Sequence, residues 1–138
     1  MSQVSFENRT VIVTGAGNGL GKAYALDLGS RGAKVVVNDL GGAVDGSGSG
    51  STPADEVVNE IIANGGEAVA NYDSVASKEG GESIVQTAID NFGTVDAVVN
   101  NAGILRDKSF ANMSEEELSL IIDVHLKGTF FVSQPAFK

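Results

Sequence analysis

The chain has 138 residues, 42% of them hydrophobic, enough to bury the core of one domain at most. Its formal net charge of −9 argues against a nucleic acid or an anionic membrane surface as the main partner, since both require a basic footprint. Cysteine is absent, which excludes disulfides and thiolate metal centres; no metal site is expected, and no apolar run approaches membrane-spanning length.

The first ten residues, MSQVSFENRT, are mixed and polar and lead into a short apolar strand, Val11-Ile12-Val13. Gly15, Gly17, Gly19 and Gly21 follow within the stretch TVIVTGAGNGLG. Without side chains, these residues let the backbone turn sharply and come close to a ligand. The amphipathic segment Lys22 to Arg31 then predicts a helix, with Ala23, Ala25, Leu26 and Leu28 on one side and Gly32 as its left-handed stop. Free N–H groups and the positive end of the helix dipole behind a glycine turn form a site for a phosphate or pyrophosphate. A nucleotide is the expected ligand, although glycine turns also occur wherever a strand meets a helix tightly.

Lys34 to Asp39, KVVVND, is a continuous apolar run suited to a strand buried on both faces of a parallel sheet. It completes a βαβ unit and ends in Asp39. An acidic residue about 20 residues past such a turn accepts hydrogen bonds from the adenosine ribose and repels the extra phosphate of NADP. The bland reading of Asp39 is a solvated turn aspartate. Leu40 to Ser51, LGGAVDGSGSGS, has the composition of a linker but reads as a loop insertion, because a helix start follows directly. Thr52 is its N-cap, Pro53 its first residue and Asp55 the partner in a capping box. Val57, Val58, Ile61 and Ile62 form the expected buried stripe, ended by Asn64-Gly65-Gly66.

Glu67 to Tyr72 predicts the third strand, with Asp73 and Ser74 at its carboxyl end, where ligands of open parallel sheets gather. Asp73, Ser74 or Ser77 is equally suited to cap the next helix, which carries Ile84, Val85, Ala88 and Ile89 and stops at Asn91-Phe92-Gly93. Val95 to Asn100 predicts the fourth strand, which delivers Asn100-Asn101-Ala102-Gly103; Ile104 to Asn112 is a connecting loop. A capping box at Ser114 and Glu117 opens a last helix, with Leu118, Ile121, Ile122, His125 and Thr129 on one face. Pro135 is expected to bend it or end it near Phe131. Right-handed crossovers from a central first strand give an α/β, three-layer, Rossmann-type doubly wound fold with a parallel sheet in the order 3-2-1-4. The cofactor would lie at the switch between strands one and four.

The turn T-G-x-x-x-G-x-G from Thr14 to Gly21, followed by NNAG at Asn100 to Gly103, resembles the short-chain dehydrogenase/reductase family. This resemblance covers essentially the whole chain. It implies NAD as cofactor, bound at the turn by Gly15, Asn18, Gly19, Leu20 and Gly21, and at the ribose by Asp39. It further implies Asp73 and Ser74 at the adenine, and Asn101, Ala102, Gly103 and Ile104 along the cofactor toward its nicotinamide half. NDLGG with its glycine-serine loop, NAGILRDKSF and DVHLKGTF together look like the (3R)-hydroxyacyl-CoA dehydrogenase domain of peroxisomal multifunctional β-oxidation enzymes and their bacterial relatives.

Where most of the family has an asparagine that holds a water of the proton relay, this sequence has His125, as the hydroxyacyl-CoA branch does. A catalytic role and a hydrogen-bonded core role both stay open for it. The family's Tyr-x-x-x-Lys pair is not found, since Tyr24 is followed by Leu28 and Tyr72 by Ala76. Residues 1–138 are therefore read as an NAD-binding domain without the catalytic half, inactive alone. The expected function is the NAD-binding portion of an oxidoreductase interconverting 3-hydroxyacyl and 3-oxoacyl thioesters of CoA. A non-catalytic NAD-binding module and a 3-oxoacyl-acyl-carrier-protein reductase are the alternatives, the latter opposed by Asp39. An acyl-CoA-type substrate, a homo-oligomer and a cytoplasmic setting, or a peroxisomal one within a eukaryotic multifunctional enzyme, complete the expectations.

Overall fold

A computed structural model describes residues 4–41 and 52–138, so most of the expected loop insertion, 42–51, lies outside the described residues. The strands β1 (Thr10–Val13), β2 (Lys34–Asn38), β3 (Glu67–Asn71) and β4 (Ala97–Val99) form one parallel sheet in the order β3-β2-β1-β4. The order is the expected one. Alternation along the central strands feeds two cores, because successive side chains of a strand point to opposite faces. Val11, Val13, Val35 and Val37 meet helices α1 (Gly19–Ser30) and α2 (Pro53–Ala63) through Ala25, Val57 and Ile61. On the other face Ile12 and Val36 meet Ile84 and Ala88 of α3 (Lys78–Phe92) and Val132 of α5 (Gly128–Phe137). Helix, sheet and helix make the three layers.

Several boundaries and faces differ from expectation. Helix α1 begins at Gly19 rather than Lys22, so two of the turn glycines belong to its first turn. Its buried line is Gly21, Ala25 and Gly29, spaced by four, while Ala23 is exposed. A Cβ on Gly29 would sit 2.9 Å from Ile61 Cγ2, so small residues are what let α1 and α2 approach. Ile62 and Ile89 are 53% and 42% exposed, outside the stripes assigned to them. The helices cover the sheet with narrower faces than the apolar pattern suggests. Strand β3 stops at Asn71 and β4 is reduced to three residues, since an edge strand is strand only where β1 pairs with it. Ser77 caps α3, accepting from Gly80 N at 3.0 Å, which leaves Asp73 and Ser74 free of that task.

The last helical stretch comprises α4 (Glu115–Ile122), a π-helical turn (Asp123–Lys127) and α5, joined through residues of right-handed helical conformation. It does not end near Phe131 but continues through Pro135. Proline has no N–H, so the carbonyl four residues back, that of Phe131, loses its usual partner. That carbonyl lies against Gly81 of α3, where any Cβ would collide with it. The inward face is Val124, Gly128, Val132 and Ala136, with Gly128 seated on Val75, rather than the face through Leu118, His125 and Thr129. Leu118, Ile122, Leu126 and Phe130 form a second, exposed apolar stripe. The connecting loop contains a 3-10 turn, Phe110–Asn112. No described helix is long and apolar enough to cross a membrane.

Candidate functional site

At the carboxyl end of β1 the chain turns through Gly15 (φ +63°) and Gly19 (φ +57°), conformations that other residues adopt only with strain. Three of the glycines serve contacts inside the protein. A Cβ on Gly15 would lie 2.8 Å from Ala102 Cα, one on Gly17 2.7 Å from both Asp39 Oδ2 and Pro53 Cβ, and one on Gly21 would collide with the Gly15 carbonyl and the Asn101 amide. Gly19 is different: nothing among the described residues comes within 4 Å of its Cβ position. Asn18, the residue before α1, makes no side-chain cap and the first turn holds no acidic residue, whereas α2 and α4 each have a capping box. The amides and dipole of α1 are therefore left for an anion.

Thr14 fastens this turn to the segment after β4. Its Oγ1 accepts from Asn101 N at 3.1 Å and Ala102 N at 3.0 Å, while Asn101 Nδ2 donates to the Thr14 and Gly15 carbonyls at 3.1 and 3.0 Å. Thr14 opens the glycine motif in the sequence, but its bracing role is visible only once β1 and β4 lie side by side. The Asp39 carboxylate is held at both oxygens, Oδ2 accepting from Gly17 N at 2.9 Å and Oδ1 from Gly41 N at 2.8 Å. These groups surround a cleft of ≈ 250 Å³ bounded by Gly15, Asp39, Asp73, Ala102, Gly103 and Ile104. Ser74 also lines it, as do Asn38, Leu40, Val75 and Val124, which the sequence did not single out. Asn18, Gly19, Leu20, Gly21 and Asn101 do not line it: the first three are exposed on the approach to α1, and Gly21 and Asn101 brace the turn from behind. A larger hollow of ≈ 460 Å³ near Arg31, Gly32 and Glu67 lies at the amino ends of the strands, opposite to where parallel sheets bind ligands.

His125 is exposed, so the core role expected as one alternative is not what the fold gives it. Its Nε2 lies 3.1 Å from Ile104 N and 2.9 Å from Ile104 O, and its ring covers Gly103, where a Cβ would meet Cε1 at 2.7 Å. It thus ties the π-helical turn to the rim of the cleft. The Tyr72 hydroxyl donates to Asp55, joining the residue after β3 to the first turn of α2, whose Pro53 packs on Gly17. That bond, together with Thr52, holds the Asp55 carboxyl below its usual value, and it pushes the Tyr72 phenol up.

The sequence profile of the short chain dehydrogenase family matches residues 9–138. The chain belongs to that family. Members of the short chain dehydrogenase family bind a nicotinamide dinucleotide, NAD or NADP. This chain is 60% identical over 134 residues to the peroxisomal hydratase-dehydrogenase-epimerase of Saccharomyces cerevisiae, a match covering 97% of the chain and 15% of the relative. It is 57% identical over 136 residues to the peroxisomal multifunctional enzyme type 2 of Mus musculus, covering 99% of the chain and 18% of the relative. A crystal structure of a short chain dehydrogenase from Mycobacterium avium superposes with a TM-score of 0.89 at 51% identity, covering 96% of the chain and 46% of that structure. The chain therefore spans under a fifth of the length of these two curated relatives.

Proposed function

We propose that residues 1–138 are the dinucleotide-holding part of a dehydrogenase that takes NAD in preference to NADP and interconverts 3-hydroxyacyl and 3-oxoacyl thioesters of CoA. The observation that carries the cofactor choice is the Asp39 carboxylate, fixed by the amides of Gly17 and Gly41 at the rim of the cleft. Each oxygen keeps a further acceptor site for a ribose hydroxyl, and a 2′-phosphate at the same place would meet a fixed negative charge. The remaining residues fit the same ligand. The open space over Gly19 and the uncapped start of α1, with Asn18 and Leu20, suit the pyrophosphate, and Gly21 with Asn101 braces that turn. Asp73 and Ser74 suit the adenine end, and Ala102, Gly103 and Ile104 the nicotinamide end. Bound NAD supplies the hydride chemistry; the residues of this chain hold and orient it.

The thioester substrate rests on the names of the two curated relatives and on the segments NAGILRDKSF and DVHLKGTF. The peroxisomal names of those relatives favour a peroxisomal setting over a cytoplasmic one. Proton exchange with the substrate needs an acid–base group. His125, hydrogen-bonded to Ile104 at the rim of the cleft, is the catalytic candidate within these residues, but the Tyr-x-x-x-Lys pair of the family is not among them, so the 138-residue chain is expected to bind cofactor without turnover. A homo-oligomer that covers the stripe Leu118, Ile122, Leu126 and Phe130 is part of the same reading, and a light-scattering mass equal to one chain would contradict it.

Titrating NAD and NADP against the wild-type protein and Asp39→Ala tests the central point. NAD should bind at least about tenfold tighter to the wild type, the worth of one hydrogen bond to a charged group, and the substitution should bring the two affinities together. Equal wild-type affinities would refute the role given to Asp39.

A further inference from the structure

Asn38 and Asn71 close the ends of β2 and β3 as register partners, and they are 2% and 5% exposed. Two buried amides side by side in an apolar sheet are costly unless their polar atoms are matched. Here all four amide N–H groups and Asn71 Oδ1 are matched. Asn71 Oδ1 accepts from Asn38 Nδ2 and from Asp73 N, both at 2.9 Å. Asn71 Nδ2 donates to Thr87 Oγ1 at 2.9 Å and to Asp73 Oδ2 at 3.1 Å. The Thr87 hydroxyl spends its own proton on the Ser83 carbonyl at 2.9 Å, so it meets Asn71 as an acceptor and fixes which way that amide faces. Asn38 Nδ2 adds a bond to Asp73 O at 2.9 Å, and Ser83 Oγ donates to Asp73 Oδ2 at 2.6 Å.

The convergence is on a single residue. Asp73 is held at its amide, at its carbonyl and twice at Oδ2. Its Oδ1 is then the carboxylate oxygen with no partner among the described residues, on a side chain that lines the cleft. A carboxylate fixed in this way accepts a hydrogen bond from an amino group and repels a carbonyl oxygen in the same place. We infer that Asn71, Ser83 and Thr87 are positioning residues that set the base specificity of the cleft by presenting Asp73 Oδ1 to the exocyclic amine of a 6-aminopurine, so that 6-oxopurine dinucleotides are discriminated against. This rests on the dinucleotide reading given above, and it goes beyond it by assigning base choice to residues that touch no ligand.

The test compares NAD with nicotinamide hypoxanthine dinucleotide, in which a 6-oxo group and N1–H replace the 6-amino group and the bare N1, in titrations of the wild-type protein, Ser83→Ala and Thr87→Val. Both substitutions lie in α3; the first suits a helix and the second keeps the side-chain shape. The wild type should prefer NAD by about tenfold, the lower worth of a hydrogen bond to a charged group. Each variant should bring that ratio to within about threefold while keeping the NAD-to-NADP ratio, a readout that general loosening of the fold would shift together with the first. A variant with the wild-type ratio between amino and oxo dinucleotides overturns the proposal, and so does a wild type that binds both equally. A wild type that binds neither dinucleotide sinks the dinucleotide reading itself and this inference with it.

Discussion

Replacing Gly21 and Gly19 one at a time by alanine separates the two uses of glycine in the turn. At Gly21 the new methyl would overlap the Gly15 carbonyl and the Asn101 amide. Moving that amide aside breaks its bonds to the Thr14 and Gly15 carbonyls, each worth about 1 kcal/mol, and strands a partly buried donor at a further cost of about 1–3 kcal/mol. Helix propensity returns about 1 kcal/mol, so the net destabilisation is about 2–4 kcal/mol. At Gly19 nothing is struck, and only the left-handed conformation at φ +57° is penalised, by about 1–2 kcal/mol. Urea unfolding of the two variants, compared at equal slope, should place Gly21→Ala below Gly19→Ala in midpoint. NAD titration should show Gly19→Ala losing affinity beyond its small loss of stability, because its methyl enters the space before α1. A Gly21→Ala midpoint equal to wild type, or Gly19→Ala as the less stable of the two, would refute this division of roles.

Tyr72→Phe removes the donor that holds Asp55 low and is raised in return. A carboxyl depressed in the folded state stabilises above its ordinary 3.8 and loses that contribution as pH falls through the folded value; a phenol raised above 10.0 contributes below that and loses it as pH rises through its folded value. The stability gap between wild type and Tyr72→Phe should therefore be flat across neutral pH and close at both extremes. With Tyr72 about half exposed it should stay under about 1 kcal/mol, and a gap that widens in acid would contradict the assignment. His125→Ala should change stability by less than about 1 kcal/mol, since the ring is exposed, yet speed hydrogen exchange at the Ile104 amide that it holds. Unchanged exchange there would show that the histidine does not secure the rim.

The sheet order was legible because its signals are local. Apolar runs separated by glycine stops mark each strand, and handedness leaves one arrangement. Asp39 was legible through its spacing from the turn. The bracing role of Thr14 and the pairing of Asn38 with Asn71 were not, since a polar residue closing a strand looks like punctuation until parallel register sets Asn38 beside Asn71. The choice among Asp73, Ser74 and Ser77 as cap was likewise undecidable from type alone. The last helix misled for another reason: it has two apolar stripes, and the buried one passes through Gly128, which carries no hydrophobic mark. Ile62 and Ile89 show the same limit, because a periodic pattern gives the direction of a face and not its width.

The contacts of Gly81 with the Phe131 carbonyl and of Gly128 with Val75 set the height of α5 above the sheet by main chain and a single methyl-bearing side chain. Two fixed points define a line, so α5 has little freedom to tilt while both hold. His125 sits in the π-helical turn immediately before Gly128, and Gly103 lies under its ring. The gauge of the cleft rim is thus set where Gly128 meets Val75 of the cleft wall and where Gly81 meets the Phe131 carbonyl, two points at which glycine leaves no room for a side chain.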